Sequence, residues 1–409
     1  MSDVNPCISE DIWFKIFTEL PVKTLGKCRC VCKSWHSLII SSSFMAAHLK
    51  HYTQNNANSL ILYKKKSENP CYEQCVLFRD SAQLMDGNST VHSSTFPVAV
   101  CEWPYFQLLG SVNGLLCISD DAYIRTSSRI LIWNPILEKC IKLPMAMASL
   151  RDRISVLGFG YDCRKSDHRV VRIYYSKKET PVVEVFSVQE RTRRIICADY
   201  LVQNSITHLT FANCFVNGVI HWFTWDAENR PLRAKTLLRF NVTEEKFDMM
   251  ELPETIINMG ESKNDSDFGV FEYQGMLSVS LYNAVHRQGT DISDRCQIWV
   301  QREYNNASSW FKILDVRPLP GISHTGPVQY LGKNGELLGF TKKHSDELVY
   351  YDPRTGHIKE LGHRSSFSTR FSAYSESLVF LDQQISDYID DSAEREWYIQ
   401  AISVILSIP

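Results

Sequence analysis

Thirteen cysteines and twelve histidines stand in this sequence, the residue types that bind zinc or, beside a suitable base, carry nucleophilic and proton-transfer chemistry. Their spacing assembles no such site. No two cysteines form a C-x-x-C pair, and Cys28, Cys30 and Cys32 alternate so that a helix would turn successive thiols to different faces. Thirteen is odd and the thiols are scattered, which reads as reduced, mostly buried small hydrophobes. His208 before an apolar run and His221 beside Trp222 read as packed or hydrogen-bonded core histidines. There is no G-x-S-x-G elbow, no phosphate loop and no H-E-x-x-H. Gly158-Phe159-Gly160 is too short for a dinucleotide fingerprint and is followed by strands, where pyrophosphate binding needs a helix N-terminus. No cysteine has a recognisable base beside it, as a thioester-forming residue would need. We therefore expect no catalytic residues, no metal and no cofactor.

Binding by charge is the remaining chemistry. The 44 basic and 46 acidic residues sum to −2, so no overall field draws the molecule to nucleic acid or anionic lipid. Locally the balance swings: 151–194 carries +5, 244–272 carries −7 and 376–396 carries −6. Arg164, Lys165, Arg172 and Arg193 are candidate contacts for an acidic protein, and Asp226 and Glu228 for a basic one. The competing explanation is that alternating strands send every second charge into solvent whatever the function. Polar loops near Tyr123–Ser128, Asp226–Arg230 and His286–Arg295 would suit recognition at one rim of a ring.

Two textures position these residues. From Ser9, with Glu10 and Asp11 in a first turn that favours acids, apolar residues recur at Ile12, Ile16, Phe17 and Leu20 and predict a helix ended by Pro21. Ser9 is its expected N-cap. Thr24 is the expected cap of a short second helix through Leu25 and Cys28, and Val31, Cys32, Trp35, Leu38 and Ile39 supply a third stripe. About forty residues cannot bury three stripes alone, so they pack on the rest of the chain, dock a partner, or both. Trp13 and Phe14 are candidates for packing on the C-terminal part.

From about residue 58 the pattern has period two, bounded by Gly, Asn, Asp and Pro. Val112-Asn113-Gly114-Leu115, Val216-Asn217-Gly218-Val219, Tyr273-Gln274-Gly275-Met276 and Lys333-Asn334-Gly335-Glu336 repeat one turn-and-strand signal, their glycines 104, 57 and 60 residues apart. A further unit, Gly158-Phe159-Gly160-Tyr161-Asp162 with Val170–Ile173 and Val183–Val188, fills the wide gap and restores a period of about 50–60 residues. Such units bury both faces most economically in a propeller-like ring.

The blocks Ile8-Ser9-Glu10-Asp11-Ile12, Leu20-Pro21-Val22-Lys23-Thr24-Leu25, Cys30-Val31-Cys32-Lys33-Ser34-Trp35, Leu38-Ile39, Ser43-Phe44 and His48-Leu49 resemble the F-box as plants write it, with Ile8-Ser9 in place of the usual Leu-Pro. GSVNGLLCIS, LIWNP, GFGYD, VVRIYY, VEVFSV, CFVNGVIHWF and YSESLVFL resemble the F-box-associated domain in its kelch-related form, the S-locus F-box group among its relatives. The resemblance implies segregated domains: a small all-α F-box at 1–50, a mainly β, propeller-like domain at 58–385 and a partly acidic segment at 386–409. It further implies a non-catalytic substrate receptor of a Skp, cullin and F-box ubiquitin ligase. Ile8, Ile12, Ile16, Leu20, Pro21, Leu25, Val31 and Trp35 would grip the Skp-family adaptor, and through it cullin and a RING subunit. The β domain would recruit an unidentified protein for ubiquitination and degradation. The alternative is a propeller that binds protein or small ligand without degradation. An acidic N-terminus without a signal's apolar run, and the lack of a long uninterrupted apolar stretch, lead us to expect a cytoplasmic or nuclear protein, with neither membrane nor nucleic acid as partner.

Overall fold

A computed structural model describes residues 8–54, 60–66, 73–79, 90–95, 107–119, 129–143, 154–176, 179–203, 206, 209–224, 236–257, 268–283, 295–316, 322–323, 330–332, 335–341, 347–364 and 371–381. Four helices come first: α1 (Glu10–Thr18), α2 (Val22–Cys28), α3 (Lys33–Ile40) and α4 (Ser42–Gln54). Two short helices, α5 (Asp199–Gln203) and α6 (Glu254–Ile257), lie between strands of the β domain. None of the described helices is long and apolar enough to cross a membrane.

The helical boundaries correct the sequence reading in three places. Ser9 occupies the N-cap position, and its carbonyl accepts from the Ile12 and Trp13 amides at 3.0 and 3.2 Å, yet its side chain makes no capping bond. Pro21 stands at the N-cap of α2, so Thr24 lies inside the helix. Proline suits a helix start because its missing N–H would be unsatisfied there anyway. A fourth helix, longer than the other three, was not anticipated. Its Phe44, His48 and Tyr52 recur every fourth residue and are buried, but alanines and polar residues between them dilute the stripe.

The remainder forms six four-stranded antiparallel sheets. β1 (Leu60–Lys66), β2 (Glu73–Arg79) and β3 (Thr90–Thr95) begin blade 1. Blade 2 is β4 (Gln107–Val112), β5 (Leu115–Ser119), β6 (Ile130–Asn134) and β7 (Lys139–Lys142). Blade 3 is β8 (Ile154–Asp162), β9 (Asp167–Ser176), β10 (Glu179–Ser187) and β11 (Thr192–Ile196). Blade 4 is β12 (Leu209–Val216), β13 (Val219–Thr224), β14 (Thr236–Asn241) and β15 (Lys246–Glu251). Blade 5 is β16 (Phe268–Tyr273), β17 (Met276–Asn283), β18 (Arg295–Gln301) and β19 (Trp310–Val316). Blade 6 is β20 (Ile322–Ser323), β21 (Leu337–Thr341), β22 (Glu347–Asp352) and β23 (His357–Arg364). The last strand, β24 (Phe371–Tyr374), returns to pair with β1, Leu60 opposite Tyr374, and completes blade 1. This closes a propeller with strands from both ends of the β domain.

The repeated turn signal has a conformational basis. Asn113-Gly114, Asn217-Gly218 and Gln274-Gly275 all have positive φ at both residues, the geometry of tight hairpin turns that match strand twist. Between the third and fourth strands a second device recurs. Asn134 Oδ1 accepts from the Ile136 and Leu137 amides, Asn241 Oδ1 from those of Thr243 and Glu244, and Asp352 Oδ1 from that of Arg354. These side chains mimic a backbone turn. Apolar clusters then alternate with the blades: Leu115, Cys117, Ile130 and Ile132 of blade 2 meet Leu157, Phe159 and Val170 of blade 3, and Val171, Ile173 and Val185 meet Ile220, Trp222 and Phe240 of blade 4. Gly158 is required where that second seam is tightest, since a Cβ there would lie 2.3 Å from the Trp222 ring.

Candidate functional site

The helical unit has an aromatic interior. Phe17 meets Trp35 edge-on at 4.9 Å and packs tilted against Trp13 at 5.4 Å, while Phe14 meets Phe44 edge-on at 5.2 Å. His48 Nε2 lies 2.9 Å from the Leu20 carbonyl just beyond α1, and burial pushes that imidazole below its ordinary pKa. Trp13 and Phe14 are thus half-buried and packed against the shared core of helices and propeller.

Two faces of this unit are used differently. Inward, Phe17, Val22, Leu25, Ile39 and Phe44 join Leu108, Leu116, Ile118, Leu131, Trp133, Tyr374, Leu378 and Leu381 in one buried cluster. Outward, Ile8, Ile12, Ile16 and Val31 remain 46, 50, 42 and 65% exposed. Ile12 and Ile16 are four residues apart and form one stripe along α1, and Ile8 stands just before its N-cap. Pro21 is exposed beside them, and Leu20 and Trp35 are half-buried. Leu25 departs from the expected set: it has no exposed surface and belongs to the junction with the propeller. One turn after Val22 on α2, it shares the face against Leu381, which approaches the Cβ position of Gly26 to 3.8 Å.

A seven-residue strap, 375–381, fastens the two parts. Tyr374, where β24 ends, donates its hydroxyl to the Gly114 carbonyl at 3.1 Å. Gly114 has φ +75°, and a Cβ there would fall 2.2 Å from that of Ser377. Asn134 Nδ2 donates to the carbonyls of Ser377 and Val379, both at 2.9 Å. The Leu381 carbonyl accepts from Lys139 Nζ of blade 2 at 3.0 Å and from Arg29 Nη1 of the helical unit at 2.7 Å. The Val22 amide, at the start of α2 where backbone donors lack helical partners, reaches Glu376 Oε2 at 3.2 Å. Helices and propeller are therefore tied through a common segment as well as a common core.

The axis of the ring holds a cavity of about 130 Å³. It is bounded by Leu108–Val112, Phe159, Asn213–Phe215, Val270–Glu272, Tyr330 and Phe371–Ala373, contributed by all six blades. Among the described residues no three His, Cys, Asp or Glu side chains converge as metal ligands would.

The charged candidates separate. Arg164 and Lys165 are exposed in the turn after β8, their amides donating to Asp162 Oδ1 at 3.0 and 3.4 Å. Arg193 is partly exposed on β11, its Nη1 3.8 Å from Glu184 Oε1. Arg172 is not a surface contact: it is buried between blades 2 and 3, donating to the Tyr174 hydroxyl at 3.2 Å, which donates in turn to Glu184 Oε2 at 2.6 Å. Its row, Leu157–Arg172–Glu184 across β8, β9 and β10, faces blade 2. Alternation alone could not tell a charged row inside a blade seam from one in solvent. Asp226 and Glu228 lie outside the described residues, as do Tyr123–Ser128, His286–Asp294 and most of 376–396. His221 is buried, with Nδ1 3.2 Å from the Cys214 carbonyl and Nε2 2.9 Å from the Tyr304 hydroxyl, and burial pushes it down to about 3. That is a core histidine with both nitrogens occupied.

Sequence reasoning missed Asn134, Glu376 and the strap. The signal was present in three of the motifs, GSVNGLLCIS, LIWNP and YSESLVFL, which contain Gly114, Asn134 and residues 374–381 and meet here in space.

Comparison with known proteins gives two family models. An F-box domain matches residues 6–46, and an F-box associated beta propeller domain matches residues 52–384. Curated relatives from Arabidopsis thaliana include the F-box protein CPR1, 24% identical over 372 residues with 84% of this chain and 82% of that protein covered. An F-box/kelch-repeat protein is 23% identical over 328 residues, covering 76% and 78%. A further F-box protein is 23% identical over 407 residues, covering 87% of each.

Proposed function

Since the chain belongs to the F-box proteins that carry an F-box-associated β-propeller, we propose that it is a substrate-recognition subunit of a Skp, cullin and F-box ubiquitin ligase. In this reading the F-box binds the Skp-family adaptor and through it cullin and a RING subunit. The propeller recruits a protein for ubiquitination and degradation. The chain supplies no reacting group; its contribution is proximity, which raises the effective concentration of a substrate lysine near the ubiquitin-charged enzyme. It acts in the cytoplasm or nucleus, compartments that suit unpaired thiols such as Cys28, Cys117 and Cys214.

The observation that carries this reading is the split of the helical unit. Its inner face is consumed by the propeller, while Ile8, Ile12, Ile16 and Val31 stay exposed. Covering an isoleucine of that kind contributes up to about 1.5–3 kcal/mol. Ile16→Asp in the full chain should therefore weaken capture of purified Skp-family adaptor by about thirtyfold, roughly 2 kcal/mol, with unfolding by denaturant unchanged because the residue is exposed. Full capture by the folded variant would reject this face.

A further inference from the structure

Every blade of a propeller ends in an outer strand with one unpaired edge, and β11 is the barest whose surroundings are described. β7 buries Ile141, β15 buries Phe247 and Met250, and β19 buries Trp310. β11 leaves four consecutive residues, Thr192–Ile195, exposed, with Ile195 55% exposed. β23 is comparably open but mixes His357 and Lys359 with Glu360. Among the described residues β11 pairs only with β10, so about half of its peptide groups face outward without a described strand partner.

The strand itself carries charge of one sign, held in place, while exposed Glu190 in the turn before it accepts from the Thr192 hydroxyl at 3.3 Å. Arg193 and Arg194 leave the strand on opposite faces, because their partners in register are Phe186, packed toward blade 2, and Val185, packed toward blade 4. Arg194 is ion-paired with Glu245 of blade 4, and Arg193 is drawn toward Glu184. Arg191 precedes them in the turn. The turn holding Arg164 and Lys165 opens at the same end of the blade, since the Val188 amide donates to the His168 carbonyl at 3.0 Å and that of Gln189 to Asp167 Oδ1 at 2.8 Å. Arg193 and Arg194 on the edge strand, and Arg191, Arg164 and Lys165 in the turns at one end of the same blade, thus stand exposed beside the exposed acid Glu190. Charged residues commonly protect edges against pairing. Here, however, the two arginines of the strand are turned to its faces, Arg194 paired with Glu245 and Arg193 drawn toward Glu184, and they precede an exposed isoleucine, so they are directed away from the outer peptide groups.

Resting on the receptor reading above, we propose that β11 is the docking edge for an extended acidic segment of the recruited protein, which adds to blade 3 as a fifth strand. Main-chain hydrogen bonds to the outer peptide groups give the pairing. Carboxylates on successive residues of the segment meet Arg193 on one face and Arg194 on the other, and an apolar residue in register with Ile195 covers it. Arg164, Lys165 and Arg191 draw the segment in.

The test uses the full chain and a fluorescein-labelled peptide of Glu-Glu-Val repeats as long as β11, read by fluorescence anisotropy. The acidic peptide should bind, more weakly as salt rises, while a Lys-Lys-Val counterpart should not. Arg193→Glu with Arg194→Glu should weaken it at least about tenfold. So should N-methylation of alternate peptide amides, which removes strand pairing and keeps the charge. Equal binding of the basic peptide, or of the double variant, overturns the site, and unchanged binding of the N-methylated peptide overturns the strand mode. Adaptor capture is measured on the same samples. The double variant should retain it, so failure of the peptide arm leaves the receptor reading standing, and failure of capture by the unaltered chain counts against the receptor reading alone.

Discussion

Blades 2 and 3 are neighbours built on the same four-stranded plan, and they spend their surfaces in opposite ways. In blade 2 the strands β5 and β6 are buried along their whole lengths. Leu116, Ile118, Leu131 and Trp133 face the F-box, the strap and Leu77 and Tyr374 of blade 1, and Leu115, Cys117, Ile130 and Ile132 face blade 3. Blade 3 returns an apolar face to blade 4, but toward blade 2 it places Phe159, Val170 and Phe186 beside the buried Arg172, Tyr174 and Glu184, and its outer strand is bare. The difference teaches that the inner strands of a blade are dictated by ring closure, whereas the outer half is dictated by what lies against it. In blade 2 the third strand, β6, stays buried on both faces because the helical unit and the strap pack against it beside blade 1.

The sharpest way to break that contrast is Trp133→Ala. Trp133 is one of the largest fully buried side chains and sits where blade 2 meets the helical unit. Its loss leaves a cavity shared by two domains, and the expected cost is about 3–5 kcal/mol, read as a fall in the denaturant midpoint. The same substitution at exposed Ile195 of blade 3 should change stability by no more than about 0.5 kcal/mol. Similar costs at the two positions would mean that the outer strand of blade 3 is covered after all.

This contrast was only half legible in the sequence. The Asn-Gly turns and the near-continuous apolar runs of Leu115–Ser119 and Val219–Thr224 announce inner strands, because tight turns and two-sided burial leave local marks. The six-blade count was harder to read. Blade 1 is assembled from β1–β3 and β24, separated by almost the whole β domain, and no local pattern records such a closure. The F-box stripes were visible, but which stripe faces inward is decided by packing: Leu25 and Ile16 look alike along the chain, and only one meets Leu381. Arg172 shows the same limit, since its strand neighbours Val171 and Ile173 fit either an exposed or a buried alternate row.

A second, smaller effect is expected at the seam between the two blades. His168 of blade 3 lies 3.2 Å from the Val112 carbonyl of blade 2 and is flanked by the rings of Phe159 and Tyr161. Burial pushes it down to about 4, as it pushes His221 in blade 4 to about 3. Each is held neutral when folded, while the unfolded chain takes up a proton below about pH 6.5. Acid therefore favours the unfolded chain: stability is full above pH 6.5 and falls by about 1.4 kcal/mol per pH unit for each histidine down to its folded pKa. Chemical denaturation between pH 7 and 5 should show this loss, to which the buried His48 adds, and His168→Gln should remove its own share of the slope, about 1.4 kcal/mol per pH unit. An unchanged slope would mean that His168 is not the group that titrates.

The smallest effect concerns how blade 2 holds its neighbour. The apolar cluster from Phe17 and Leu25 to Trp133 and Leu381 supplies adhesion, but adhesion alone does not fix an angle. Orientation is specified by the directional bonds at the two ends of the strap, Val22 amide to Glu376 and Arg29 to the Leu381 carbonyl. Both are half-buried, so Glu376→Ala with Arg29→Ala should cost only about 1–3 kcal/mol in all. Backbone exchange should rise at Val22–Leu25 while blade 3 stays protected. Because the exposed α1 stripe is untouched, adaptor capture should persist, yet the angle between adaptor and propeller would loosen. In the receptor reading that loosening spreads ubiquitin over more substrate lysines without lowering substrate capture, whereas an unaltered lysine pattern would leave orientation to the apolar cluster alone.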